Sequence, residues 1–253
     1  MDIIAHRGYS SDRPENTLSS FDFAMAAGFN NIELDIHMSE DGVPVVIHDS
    51  DVSRTTDGSG LISEMTFEEI KLLDAGSWFR NGYGEPHPPQ EVPSLEEVLS
   101  RYGTEAHIFI EIKSSEEEIL FATRELLAYF ELMGDGRESD QLEIPGVSII
   151  SFDSSQIIRS KELFPDISHG FLTTNFDYES ISFCVSNGIE GLFPYLHSVD
   201  AGVVENIHQH GLFVGVWGLT KPEEVGFAME SGVDGITVDW PQMARDYLDS
   251  LPN

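Results

Sequence analysis

Three carboxylates, two histidines, an arginine and a lysine carry the chemistry legible in this chain. Glu33 and Asp35 stand in one apolar run, Glu111 and Lys113 in another, and His6-Arg7 and His48 close two more. A charged residue inside an apolar strand is costly to bury unless it is paired or binds a cation. Three carboxylate oxygens, with water in the remaining positions, suit a hard divalent cation, Mg²⁺ or Ca²⁺. Zinc would recruit more His or Cys. Arg7 offers a bidentate fork and Lys113 a point charge, which together fit a phosphate. His6 and His48 then make an acid–base pair across the phosphorus. Singly, His6 could be a satisfied core imidazole and Lys113 the counter-ion of Glu111. All seven together are hard to explain as packing.

The elements must bring these residues to one place. Alternation puts Glu33 and Asp35 on one strand face, and Glu111 and Lys113 on another. Between the runs 31–37 and 43–47 stands Asp41-Gly42, the strongest short hairpin signal. A turn on those two residues sets position 35 opposite position 48, so His48 shares the face of both carboxylates. A loop one residue longer would turn it away.

Apolar runs recur at 3–6, 31–37, 43–47, 107–113, 147–152, 168–173, 190–194, 212–217 and 234–238. A helix from Asn16 or Thr17 to about Ala27, stopped by Gly28, separates the first two. Capping boxes are expected at Thr66/Glu69, Ser94/Glu97 and Ser115/Glu118, the last opening a helix to about Leu132. Further helices are expected at about 154–163, 178–186, 200–209 and 222–230, with Pro222 suited to a first turn. Residues 134–145 read as a polar loop, and 51–93 as an insertion on the active-site side of a single catalytic domain. The run at 43–47 follows its predecessor too closely for a parallel crossover and must be antiparallel. Eight parallel strands remain, the pattern of a (β/α)₈ TIM barrel, in which chemistry sits at the C-terminal strand ends. The rival open doubly wound sheet lacks any Gly-rich loop after a strand.

Acidic residues number 45 against 13 basic, a net charge of −32. Such a surface repels nucleic acid and anionic headgroups, so neither is an expected partner. No apolar run approaches a membrane span, and no basic, apolar leader opens the chain, so stable membrane association is not expected and a cytoplasmic location is. Cys184, the single cysteine, excludes an intramolecular disulfide. Whether the chain forms a homo-oligomer stays open. Only Lys71, Lys113, Lys161 and Lys221 are lysines, a balance that suits a salt-rich environment as well as plain solubility. Crowded like charges repel less as the Debye length shrinks to about 3 Å at molar salt. Melting temperature should therefore rise as NaCl goes from millimolar to molar. A flat or falling curve leaves only the solubility account.

The sequence resembles the glycerophosphodiester phosphodiesterases. The likeness lies in Ala5-His6-Arg7-Gly8, Pro14-Glu15-Asn16-Thr17, Glu33-Leu34-Asp35, Asp41-Gly42, His48-Asp49 and Glu111-Ile112-Lys113. It continues through Arg54-Thr55-Thr56, Ser151-Phe152-Asp153, Trp217, Gly232-Val233-Asp234-Gly235-Ile236 and Asp239-Trp240-Pro241. The resemblance implies a barrel of the phosphatidylinositol-phospholipase-C-like type that hydrolyses glycerophosphodiesters to sn-glycerol 3-phosphate and an alcohol. It implies Glu33, Asp35 and Glu111 as metal ligands, His6 and His48 as acid and base, Arg7 and Lys113 on phosphate, and Trp217 lining the pocket. By analogy, the glycerol 2-hydroxyl attacks phosphorus and water opens the resulting cyclic phosphate. The family's Trp-Thr-Val-Asn is here Trp217-Gly218-Leu219-Thr220, a departure that bears on substrate-side hydrogen bonding and not on the metal site. A lysophospholipase-D-like enzyme, served by Trp78, Phe79 and Tyr83, is the nearest rival. A non-catalytic metal- or phosphate-binding barrel is the rival from another class, which the two histidines argue against.

Overall fold

The computed structural model describes residues 1–133, 142 and 144–251, so most of the expected loop at 134–145 lies outside the described residues. Strand β1 (Asp2–Ala5) leads to helix α1 (Leu18–Ala26), and β2 (Asn31–Met38) is followed by the short β3 (Pro44–Val46). Two 3₁₀ turns, Val52–Arg54 and Ile62–Glu64, precede the one-turn α2 (Phe67–Lys71) and α3 (Leu95–Tyr102). Strand and helix then alternate through β4 (His107–Ile112), α4 (Glu118–Tyr129), β5 (Gly146–Ser151), α5 (Ser154–Leu163), β6 (Ser168–Thr173) and α6 (Tyr178–Asn187). The chain closes with β7 (Gly191–Pro194), α7 (Ala201–His208), β8 (Phe213–Val216), α8 (Glu223–Ser231), β9 (Gly235–Val238) and α9 (Pro241–Ser250).

Among the described residues, eight strands pair in parallel around a closed ring, β1 bonding β9 on one side and β2 on the other. β3 is antiparallel to β2, its one strand partner among the described residues, and is bridged on its other side at Val45 to Ser94. This is the expected (β/α)₈ TIM barrel. Thr17, Thr66 and Ser94 each accept a hydrogen bond from the third residue of the helix they open, as the capping boxes require. The box at Ser115/Glu118 is not formed: α4 begins without a side-chain cap and ends at Tyr129, before Leu132. Helix α9, opened by Pro241 in its first turn, was not among the expected helices.

The hairpin differs by one residue from its expected register. Ile36, His37 and Met38 face Val46, Val45 and Pro44, which sets position 35 opposite 47. Ser39 N–H bonds the Val43 carbonyl, leaving Glu40-Asp41-Gly42 as a three-residue loop with Gly42 left-handed at φ 81°. Had the ladder continued, His48 would face away from the carboxylates. It does not continue. After a last bond from Ile47 N–H to the Asp35 carbonyl the chain bends, and His37 Nε2 donates to the His48 carbonyl at 3.0 Å.

Ile32, Leu34 and Ile36 pack outward into the main hydrophobic cluster with buried side chains of the surrounding helices, while Ile4, Phe109, Ile150, Leu172 and Phe193 fill the barrel. The Phe193 ring occupies space left by glycines on three strands. A Cβ on Gly170 or Gly215 would lie 2.3 Å from the ring, and one on Gly191 would lie 2.8 Å from it. Replacing Gly215 with Ala should cost about 1–3 kcal/mol, the usual scale of overpacking. For a chain of this size that is a fall of roughly 2–12 °C in Tm. Phe193→Leu should recover part of it, and an unchanged Tm in the Gly215→Ala protein would contradict this packing. Residues Val52, Ile62, Ile70, Ala75 and Val92 form a smaller cluster with Val45 of β3 and Ile47 just after it.

Candidate active site

Glu33 and Asp35 come from β2 and Glu111 from β4, where Asp35 and Glu111 are directly aligned partners. An oxygen from each lies within 4.8 Å of the others, and all three residues are buried. Glu33 Oε1 is buried without a hydrogen-bond partner, and so is Asp35 Oδ1, although Lys113 Nζ lies 3.2 Å from it. Oxygen donors alone, partly unsatisfied and converging, fit a hard divalent cation. Burial and the charge of Asp35 push the Glu33 carboxyl up to about 8 and that of Glu111 up to about 7. Burial opposes ionisation of Asp35 as well, but Arg7 and Lys113 outweigh it and hold this group down near 2. Asp35 is the fixed anion of the set, and the other two keep a charge most readily beside a cation.

Arg7 follows β1 in the left-handed region at φ 56°, with Gly8 at φ 80°. A Cβ on Gly8 would meet Ser20 of α1 at 2.4–2.8 Å, so the turn packs too closely for any other residue. Strained backbone of this kind persists where surrounding contacts hold it. Here Arg7 N–H donates to Glu33 Oε2 at 3.0 Å, its Nη1 donates to Glu15 Oε1 at 2.8 Å, and its Nε lies 3.1 Å from Asp35 Oδ2. Asn16, also left-handed at φ 55°, donates from Nδ2 to Asp35 Oδ2 at 2.8 Å. Lys113 Nζ lies 2.6 Å from Glu111 Oε1.

Both histidines have carboxylate partners on Nδ1. His6 meets Asp239 Oδ1 at 2.6 Å, and its Nε2 lies 3.9 Å from Glu33 Oε2. His48 meets Asp49 Oδ1 at 2.5 Å. Their protonation is biased in opposite directions. Burial lowers the pKa of His6, but the Asp239 hydrogen bond and the Glu33 charge outweigh it and the net shift is upward. Burial also lowers that of His48. Attraction to Asp35 is offset there by the cations Arg7 and Lys113, and the net shift is downward.

Trp217 follows β8, where its indole Nε1 donates to the Phe193 carbonyl at 3.1 Å. Its ring meets Tyr195 at 5.3 Å and, edge on, the exposed ring of Phe152 at 5.4 Å. Lys113 Nζ lies 5.9 Å from the Phe152 centroid, which ties this aromatic wall to the polar cluster. Thr220 gives its backbone N–H and hydroxyl to Glu224 Oε2, at 2.7 and 3.2 Å. The structure thus brings Glu33, Asp35 and Glu111 together with His6, Arg7, Lys113 and His48, and joins Trp217 to Lys113 through Phe152. Trp78 and Phe79, offered by the sequence for an apolar entry, pack edge on against each other at 5.9 Å, and Tyr83 is exposed. The structure adds Glu15, Asn16, Asp49, Arg54, Phe152 and Asp239, each within a motif already visible but with no role at the site read from it; Asn16, a candidate helix cap, gives that role to Thr17 and bonds Asp35 instead. Asp239 had a positional signal, since it directly follows the C-terminal end of a barrel strand.

The chain is similar to known proteins over nearly its whole length. The sequence pattern of the glycerophosphoryl diester phosphodiesterase family matches residues 6–243. A glycerophosphodiester phosphodiesterase of Caldanaerobacter subterraneus subsp. tengcongensis is 33% identical over 248 residues, covering 95% of this chain and 94% of that one. One from Bacillus subtilis is 32% identical over 253 residues, covering 95% of this chain and 84% of the relative. Among solved structures, a phosphodiesterase of Oleispira antarctica in complex with the product sn-glycerol-3-phosphate superposes with a TM-score of 0.85. It is 30% identical and covers 99% of this chain and 97% of that one. With the closed barrel, the buried acidic triad and this likeness over nearly its whole length, the chain belongs to the glycerophosphoryl diester phosphodiesterase family, a family of phosphoric diester hydrolases.

Proposed function

We propose that the protein hydrolyses glycerophosphodiesters to sn-glycerol 3-phosphate and an alcohol with the help of a divalent cation held by Glu33, Asp35 and Glu111. The observation that carries this reading is the acidic triad flanked by two carboxylate-held histidines and two cations. The product bound to the Oleispira antarctica relative supports the glycerol phosphate half of the substrate. Mg²⁺ or Ca²⁺, when bound, supplies Lewis-acid stabilisation of the phosphoryl oxygens. Arg7 and Lys113 attract and orient the phosphodiester anion. His48, the less basic ring, accepts the proton of the glycerol 2-hydroxyl as its oxygen bonds to phosphorus. His6, the more basic ring, gives its proton to the alkoxide as the bond from phosphorus to the alcohol breaks. The cyclic phosphate that results is opened by water with the two roles reversed. Trp217 and Phe152 form the apolar side of the pocket, and residues 51–93 form an insertion over the active-site end of one catalytic domain. A cytoplasmic setting is part of this reading; the buried Cys184 thiol, pushed up to about 12, is unreactive in any compartment.

The test is release of the alcohol and sn-glycerol 3-phosphate from a panel of glycerophosphodiesters, with and without chelator. Turnover should stop on chelation and return with Mg²⁺ or Ca²⁺. Cleavage of lysophosphatidylcholine with none of glycerophosphocholine would favour the lysophospholipase-D-like alternative. The net charge of −32 predicts an order within the panel. Long-range steering opposes an anionic phosphodiester, and a cationic alcohol makes the substrate zwitterionic and removes that penalty. Glycerophosphocholine and glycerophosphoethanolamine should therefore show higher kcat/KM than glycerophosphoglycerol and glycerophosphoserine, the gap narrowing with salt. A reversed order at low ionic strength would assign the preference to contacts around Trp217 instead.

A further inference from the structure

We infer that Arg54 is a positioning residue for the reaction, one guanidinium that locks both the base and the phosphate-binding arginine through two separate carboxylates. The inference rests on the functional reading above. Arg54 closes the 3₁₀ turn Val52–Arg54, whose cap Asp51 accepts a hydrogen bond from Ser53 N–H. The turn is fixed further by the Thr56 hydroxyl, which donates to the Val52 carbonyl. From this short, braced segment the side chain spans a gap between Asp49 and Glu15. Its Nε donates to Asp49 Oδ2 at 2.5 Å and Nη2 to Asp49 Oδ1 at 3.3 Å. Its Nη1 donates to Glu15 Oε2 at 2.9 Å and Nη2 to Glu15 Oε1 at 2.8 Å. Both carboxylates are held in bidentate fashion, a geometry that only a planar fork supplies.

Each carboxylate then acts on a residue of the site. Asp49 Oδ1 holds His48 Nδ1, which fixes the ring and leaves Nε2, without a partner among the described residues, as the nitrogen able to accept a proton. Glu15 Oε1 accepts from Arg7 Nη1 and so anchors the guanidinium beside Asp35. Arg54 touches none of Glu33, Asp35 and Glu111, and its side chain is 43% exposed, so the core does not depend on it. Without it, two carboxylates face each other across the approach to an anionic substrate, and both His48 and Arg7 lose a fixed partner.

The experiment compares Arg54→Ala, Arg54→Lys and Asp49→Asn in the Mg²⁺-loaded enzyme on glycerophosphocholine, reading kcat and KM separately. Arg54→Ala should lower kcat about tenfold or more, the cost of loosening a general base and its orientation. Arg54→Lys restores the charge without the fork and should remain clearly impaired in kcat. Because Arg54 acts on the base through Asp49, its effect on kcat and that of Asp49→Asn should be less than multiplicative in the double variant. A readout independent of turnover is the ¹H–¹⁵N signal of the His48 Nδ1–H, which should weaken or shift in both Arg54 variants. Wild-type kcat in Arg54→Lys, or multiplicative effects in the double variant, would overturn the assignment. An unmoved His48 signal would overturn it whether or not the activity reading stands. Wild-type turnover that survives chelation would overturn the functional reading instead.

Discussion

A Glu111→Gln protein should fold, melt at or above the wild-type temperature in chelator, and lose at least about 10³-fold in kcat/KM, the scale of several kcal/mol of transition-state stabilisation. Glu33→Gln should behave in the same way. The loss of activity follows from the donor set, because a neutral carboxamide binds a hard cation poorly. The retained fold follows from the electrostatics of the metal-free site. Burial and the neighbouring Asp35 raise the carboxyls of Glu33 to about 8 and of Glu111 to about 7. A group whose pKa is higher folded than unfolded contributes stability below its unfolded value and loses it as pH rises through the folded one. Metal-free wild type should therefore lose stability between about pH 4.5 and pH 8, and either glutamine variant should flatten part of that decline. A cation that binds the folded state alone raises Tm by mass action. The rise with Mg²⁺ or Ca²⁺ should be larger at pH 8 than at pH 6 in the wild type and absent in the variants. Calorimetric scans at the two pH values check both statements. Full turnover by chelator-treated protein would remove the metal from the mechanism.

The histidine variants carry the second large effect. His6→Ala and His48→Ala should each lower kcat by about 10² or more, the usual scale of general acid–base catalysis. The opposed shifts separate their roles. Asp239 has Ser10 as its other side-chain partner, so most of its charge serves His6, and the pKa of that ring rises despite burial. Asp49 shares its charge with Arg54, and burial lowers the pKa of His48. At pH values on either side of 6.5 the set with His6 protonated and His48 neutral is the favoured one. The kcat/KM profile should be bell-shaped, with its acid limb from His48 and its alkaline limb from His6. His6→Ala should lose the alkaline limb and be partly rescued by a substrate with an aryl leaving group, which departs without a proton. His48→Ala should show neither change. Rescue of His48→Ala in place of His6→Ala would exchange the two roles, and near-normal rates in both would make them structural.

Much of the site was legible because strand alternation and helix capping are local. Glu33 with Asp35, and Glu111 with Lys113, share faces by a period of two that holds wherever a strand forms. Thr17, Thr66 and Ser94 cap within three residues of themselves. The eight-strand count, and with it the barrel, followed from such runs and from one gap too short for a crossover. The hairpin register marks the limit. Asp41-Gly42 supports both a two-residue and a three-residue connection, and packing of β3 against β2 and the 51–93 segment selects the second. His48 reaches the carboxylates through a bend held by His37, which pattern alone does not encode. Asp239 lies 233 residues from His6, and Arg54 lies 39 from Glu15; only closure of the barrel and the fold of residues 51–93 bring them together. The Phe193 ring likewise needs glycines from three different strands at one height. Residue type and spacing determined which groups could act on a phosphodiester. The tertiary structure decided which partners fix their geometry and charge, because those interactions depend on distance in space and not along the chain.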